Sequence, residues 1–433
     1  MPTLPDSLAG LDRYLLITAD SHAGPTPEGY GPYLEKKYQS DYQDWLTWSV
    51  ENAKIMKQVM GSRSIGVDGD PDVVGYRNWD SKRRLAETEA DGVAAEVIFS
   101  NTSPPFAPTM HSEFGEAEAG EDLKRRWAGI KAHNRWLADY CAEVPGRRAG
   151  ICQIFLPFVD ESVKEIRWAK EAGLTGGVLL PGAAPGSTLE PLYSPSYEPI
   201  FAVCEELGMP LNHHAGGSTP DFGNYLPQSL AMFMLEVTWW AHRSLWHLMF
   251  SGVFERHPNL QYILTEVGTS WVRDTLGKLD GFYDRMKYND QCAEYIFGGP
   301  TVAKMSLRPS EYFARQVHLG ASFLPKGDCD LRHDIGIDKI MWGSDYPHVE
   351  GSYPYTREHL RLTFDGVPED EIQQMVGLNA AAVYGFDLEK LAPVAARIGP
   401  TKSEVAVTLN RADVPKAAYK CPAFENKENP MLM

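Results

Sequence analysis

The chain has 433 residues, 43% hydrophobic and 23% charged, with 58 Asp and Glu against 41 Lys and Arg and a formal net charge of −17. That acidity, without a Lys/Arg run or basic stripe, argues against nucleic-acid binding. Six scattered cysteines without a C-x-x-C pair argue against a disulfide scaffold. The absence of any apolar run of about 18 residues argues against a membrane span. With no leader pattern in Met-Pro-Thr-Leu-Pro-Asp-Ser at the start, a cytoplasmic enzyme with reduced thiols is the expectation.

In chain order, short apolar runs alternate with loops and helical stretches. The first predicted strand is Tyr14 to Ala19, ending at Asp20-Ser21-His22. An excursion follows, with a helix from Tyr33 to Met60, a Gly/Asp-rich loop from Ser62 to Trp79 and a helix from Ser81 to Asp91. The next strands are Ala94 to Phe99, Gly150 to Phe155, Gly177 to Leu180, Pro210 to His213 and Gln261 to Thr265. A weak seventh runs from Arg315 to Leu319, and the eighth from Lys339 to Gly343. Helices are expected between them, including an aromatic-rich one from Gln228 to Phe250, and a last one from Glu369 to Tyr384.

Eight strands interleaved with helices predict a (β/α)8 TIM barrel of the α/β class. One domain spans 1–433, with an insertion at about 27–90 after strand one and a C-terminal tail along the surface at about 387–433. A doubly wound open sheet is the alternative, disfavoured by the strand number and by the lack of a Gly-rich phosphate loop after the first strand.

In such a barrel the chemistry sits at the C-terminal ends of the strands. Metal-competent side chains stand there. Alternate side chains of an extended segment share a face, so Asp20 and His22 can grip one metal together. His213 and His214 must point opposite ways, and His214 is the expected ligand, His213 a substrate contact. Glu266, after strand six, is expected as ligand or base; a buried pair with an Arg such as Arg273 is the alternative. Asp345, after strand eight, is expected to reach both a metal and its bound water, and His348 to touch substrate. Glu96, inside strand two, is a further candidate ligand. Trp240 and Trp271 are candidates for an apolar substrate pocket, whereas His242 and His247, five apart on a helix, are expected to be structural.

With these residues goes a resemblance. Asp20-Ser21-His22, the run Pro210 to His214, the run Ser251 to Pro258 and the run Trp342 to His348 make the chain similar to amidohydrolase family 2. That branch includes the aminocarboxymuconate semialdehyde and resorcylate decarboxylases. The resemblance covers about residues 14–386 and implies a metal-dependent TIM-barrel enzyme, with a small-molecule substrate and a homo-oligomer or a paralogous partner subunit. Two positions depart from the family pattern. Asp20 stands where His or Glu is usual, and Glu266 where a His is common. The oxygen-rich set suits manganese or iron as well as zinc, with one or two ions per chain.

The expected activity is hydrolysis or decarboxylation of a small organic acid or amide. Asp345 moves a proton, Glu266 serves as ligand or second acid/base group, and His348 orients the substrate. A dinuclear iron or manganese oxygenase, and an inactive partner subunit, are the alternatives.

Overall fold

The computed structural model describes residues 6–60, 79–101, 103–107, 120–223 and 225–425. The loop expected from Ser62 to Trp79 lies outside those residues except for Trp79.

The wall of the barrel is built from β1 (Leu16–Ala23), β2 (Val93–Ser100), β3 (Arg148–Gly150), β4 (Cys152–Gln153), β5 (Val178–Leu179), β6 (Leu211–His214), β7 (Tyr262–Thr265), β8 (Val317–Ser322) and β9 (Ile340–Gly343). All their pairings are parallel. β3 and β4 are two halves of one barrel strand. The first pairs with β2 and the second with β5. The change of partner falls at Ile151, whose N–H donates to Ile98 O at 3.0 Å, while the N–H of Cys152 donates to Gly177 O at 2.9 Å. β9 meets β1 through the N–H of Asp345 on Asp20 O at 3.0 Å and the N–H of His22 on Tyr346 O at 2.7 Å. Eight strand positions therefore follow one another around the wall, as expected.

Parallel strands buried on both sides are apolar on both faces, and alternate residues here serve two cores. Ile17, Ala19, Val97, Ile151, Ile263 and Met341 fill the interior. Leu16, Ile98, Leu211, Leu264 and Leu319 face the helices outside.

Two boundaries differ from expectation for identifiable reasons. β1 runs on through Asp20-Ser21-His22 because β2 and the loop after β9 both pair with that stretch. β8 starts later than Arg315, because Pro309–Gln316 is helical. Pro309 opens that helix, Glu311 caps it, and Gln316 Nε2 is held by His257 O and Leu260 O at 3.0 and 2.9 Å.

The insertion begins with 3-10 turns at Pro27–Tyr33 and Lys36–Tyr38 and becomes helical at Gln39–Met60. Its Tyr30, Tyr38 and Tyr42 pack on Ala128 and Ala132 of the helix Glu121–Ala142. The segment beyond Phe386 lies outside the barrel wall, yet it is anchored rather than loose. Leu388–Ile398 is a helix capped by Asp387. Its Leu391, Ala392 and Ala395 close the end of the interior core at Leu15 and Ile17. Spacings of three and four put these residues on one face. That end is opposite Asp20 and His22, which leaves the other mouth free for chemistry.

Candidate metal centre

Asp20, His22, His214 and Glu266 converge at the C-terminal ends of β1, β6 and β7, each offering a donor atom within 4.8 Å of the others. His22 Nε2 stands 3.3 Å from Asp20 Oδ1 and 3.2 Å from Asp345 Oδ1. His214 Nε2 stands 3.5 Å from Asp20 Oδ1 and 3.5 Å from Glu266 Oε2. Two backbone positions aim the carboxylates. Glu266 and Asp345 both take left-handed φ of 57°, which turns each side chain back over the mouth after its strand. A conformation rare for such residues persists where the surroundings enforce it. Here Glu266 N is tied to Gly320 O and Asp345 N to Asp20 O, both at 3.0 Å. Gly343 lets the last strand come close, since a Cβ there would lie 2.8 Å from the Cβ of Asp20.

The imidazoles are oriented from behind. His22 Nδ1 meets Ser100 O at 3.1 Å, and His214 Nδ1 meets Ala215 O at 3.0 Å. A carbonyl accepts, so Nδ1 carries the proton and Nε2 is left as a lone pair aimed at carboxylate oxygens. Asp20 Oδ1, His22 Nε2, His214 Nε2 and both oxygens of Asp345 are buried without a hydrogen-bond partner. Acceptors facing acceptors in a buried site need a positive charge between them. Donor atoms about 2.1 Å from one ion stand about 3.0–3.4 Å apart, close to the separations here. The residues present therefore fit a divalent cation. Without one, protons hold the cluster together. Burial opposes charge on Asp20, but His22 and His214 beside it hold its carboxyl well below the usual range. Burial likewise opposes charge on His22, but Asp20 and Asp345 hold it well above its ordinary value. Burial, with Asp345 and Asp20 adding to it, pushes Glu266 well up.

Other expected site residues fall elsewhere. Glu96 is not in the cluster. Its carboxylate is engaged by Arg84, with Nη2 at 2.7 Å from Oε2, and by Arg148 Nε at 3.3 Å from Oε1. Glu96 thus acts behind the site, because Arg84 also donates to His22 O at 2.6 Å and to Ser21 Oγ at 3.0 Å. His213 is fully buried, with Nδ1 against Leu180 O at 2.9 Å, and burial holds it down to about 4. Its ring packs against Gly217, where a Cβ would come within 2.6 Å. This enclosure does not support the expected substrate contact. Trp240 gives its indole N–H to Glu236 at 2.9 Å, on its own helix. Trp271 gives its own to Gly268 O at 3.0 Å and stacks on His242 at 3.8 Å. The rings beside His22 and His214 are instead Phe99 and His348. Arg273 pairs with Asp334, not with Glu266.

His348 joins the site, with Nδ1 at 2.9 Å from Asp345 Oδ1 and Nε2 at 3.0 Å from Asn101 Oδ1. Two residues were missed. Glu350 reaches the rim beside Glu266, Asp345 and His348. Ser322, the last residue of β8, donates its hydroxyl to Asp20 Oδ2. Ending the seventh strand at Leu319 hid it, and a search for metal-competent side chains at strand ends passes over a serine. Ser322→Ala should lower divalent-metal affinity about tenfold, the low end for loss of a hydrogen bond that orients a ligand. Chelator competition measures it, and unchanged affinity would show that the bond orients nothing.

The Amidohydrolase family model matches residues 19–386. The gamma-resorcylate decarboxylase of Rhodococcus jostii (strain RHA1) is 27% identical over 292 residues, 63% of this chain and 79% of that protein. The 2-amino-3-carboxymuconate-6-semialdehyde decarboxylase of Dictyostelium discoideum is 24% identical over 380 residues, 86% of this chain and 93% of that protein. Among solved structures, the 5-carboxyvanillate decarboxylase of Sphingomonas paucimobilis superposes with a TM-score of 0.61 at 18% identity, covering 86% of this chain and all of that one (100%). The Novosphingobium aromaticivorans enzyme of that name, complexed with manganese and 4-hydroxy-3-methoxy-5-nitrobenzoic acid, gives 0.62 at 19% identity, covering 88% and 100%. At these identities the structures speak to the fold alone, and they show the expected barrel. The family match spans most of the chain and includes every donor of the centre, so the chain belongs to the amidohydrolase family.

Proposed function

We propose that the chain is a metal-dependent decarboxylase of a small carboxylic acid. The observation that carries this reading is the set of buried, unpaired donor atoms from Asp20, His22, His214 and Asp345, with the Glu266 carboxylate beside them. The decarboxylases among the relatives support it; neither the oxygenase nor the inactive-subunit alternative finds support among them. Asp20, His22 and His214 would hold the ion, with Glu266 and Asp345 at its edge. When bound, a divalent ion supplies the positive charge that binds substrate oxygens and draws electrons from the carbon skeleton.

The balance of the reaction is R–COO⁻ plus a proton giving R–H plus CO₂, so a proton must reach the carbon that loses the carboxylate. Asp345 is the group to carry it. It is fully buried, follows β9 at the mouth, and faces both His22 and His348. His348, 23% exposed at its side chain, lies on the open side and is placed to orient the substrate carboxylate. Burial excludes water, which keeps the proton for the carbon.

The test is to incubate metal-loaded protein with aromatic and unsaturated carboxylic acids, and with amides of the same acids, while following CO₂. Release of CO₂ in step with acid consumption, abolished by chelation and restored by a divalent ion, is the expected result. Amide cleavage without CO₂ would replace this reading by hydrolysis at the same centre.

A further inference from the structure

Outside the barrel wall, the helix Gln228–Phe250 carries Trp240, Arg243 and His247. Spacings of three and four put them in one row on its surface. The Arg243 guanidinium lies over the Trp240 ring, with Cζ 4.9 Å from the ring centre. The His247 ring meets Tyr193 edge-on, with centres 5.1 Å apart. Tyr193 comes from the segment between β5 and the helix Glu198–Leu207 and is 56% exposed, so a small molecule can reach the row from solvent. His247 also lies near enough to His213 for a charge on one to oppose a charge on the other. His213 shares the outer side of β6 with Leu211, whereas His214 faces the mouth. The row thus stands behind β6, across the strand from the metal centre.

Arg243 has no partner there. Its Nη1 is buried without a hydrogen bond, and so is Nδ1 of His247. By contrast, Arg84 and Arg148 face Glu96, Arg135 faces Glu165, and Arg332 faces Glu371. The chain holds 58 acidic residues, yet among the described residues none pairs with Arg243. Glu236, on the same helix, is taken by the indole N–H of Trp240 instead. A buried donor left unpaired is costly unless a group from outside accepts from it. Burial, with Arg243 adding to it, holds His247 down to about 4. Its ring is therefore neutral at neutral pH and can donate from Nδ1.

We propose that Arg243, His247 and Tyr193 form a binding site for an aromatic carboxylate, separate from the metal centre. A planar guanidinium meets a carboxylate with two parallel N–H groups. Trp240 holds that guanidinium by its ring face. The rings of His247 and Tyr193 offer faces and edges to the aromatic body of the ligand. The ligand is of the same class as the acids in the proposed reaction, but the site does not depend on that reading, because no metal enters it.

The probe is benzoate, titrated by calorimetry into the full chain as purified and again after chelation. Benzoate held by a metal is lost on chelation, whereas benzoate held by Arg243 stays, so one bound benzoate per chain is expected in the chelated protein. Arg243→Gln should weaken it about 10–100-fold, the worth of hydrogen bonds to a charged group, with an unchanged thermal melt. Tyr193→Ala removes an exposed ring and should weaken it about two- to tenfold, which keeps the test open if Arg243→Gln folds poorly. Acetate, which lacks the ring, should bind about tenfold more weakly than benzoate. No benzoate bound after chelation, binding unchanged in both variants, or acetate bound as tightly as benzoate would overturn the site. None of these outcomes would touch the metal-dependent reading, which is tested by CO₂ release.

Discussion

Asp345→Asn should cut decarboxylation by about 10²–10⁴-fold at saturating metal, the usual worth of a positioned acid–base group. The substitution keeps the shape and removes the ability to hold and release the proton. Asp345 is fully buried, facing His22 at 3.2 Å and His348 at 2.9 Å. Because the same side chain also faces the expected ion, turnover and metal content must be read together. A loss that excess metal restores would make Asp345 only a ligand. A loss that persists at full metal content places the proton on it. Full turnover with full metal content would remove Asp345 from the chemistry.

Glu96→Gln should destabilise the protein by about 3–5 kcal/mol, the range for breaking a buried ion pair from one side. Arg84 has no exposed surface, and Glu96 is its counter-charge through three contacts of 2.7 to 3.0 Å. Burial opposes the charge on Glu96, but Arg84 outweighs it and keeps the carboxylate ionised below the usual range. With glutamine there, the guanidinium remains buried without that charge. The denaturant midpoint should fall while metal per chain stays the same. Metal lost at unchanged stability would instead make Glu96 a ligand. A smaller secondary loss of metal affinity is consistent with the structure, because Arg84 also holds the carbonyl of His22.

How far the sequence carried depended on whether the relevant physics was local. The rhythm of apolar runs and helical stretches was enough for the barrel, because parallel strands covered by helices leave that pattern wherever they occur. Extended backbone alternates its side chains, so Asp20 and His22 could be placed on one face and His213 and His214 on opposite ones. The position of Asp345 after the last strand was likewise a local fact. Tertiary structure decided the rest. Glu96 reads as a ligand until Arg84, from the helix before β2, and Arg148, from β3, are seen to take its carboxylate. The indole N–H partners of Trp240 and Trp271, Glu236 and Gly268, are likewise known only from the folded chain. Ser322 and Glu350 carry little signal by themselves and gain meaning only from what they face. A strand announces itself through the alternation of its own residues, whereas a charge is assigned by its partners, and those are brought together only when the barrel closes.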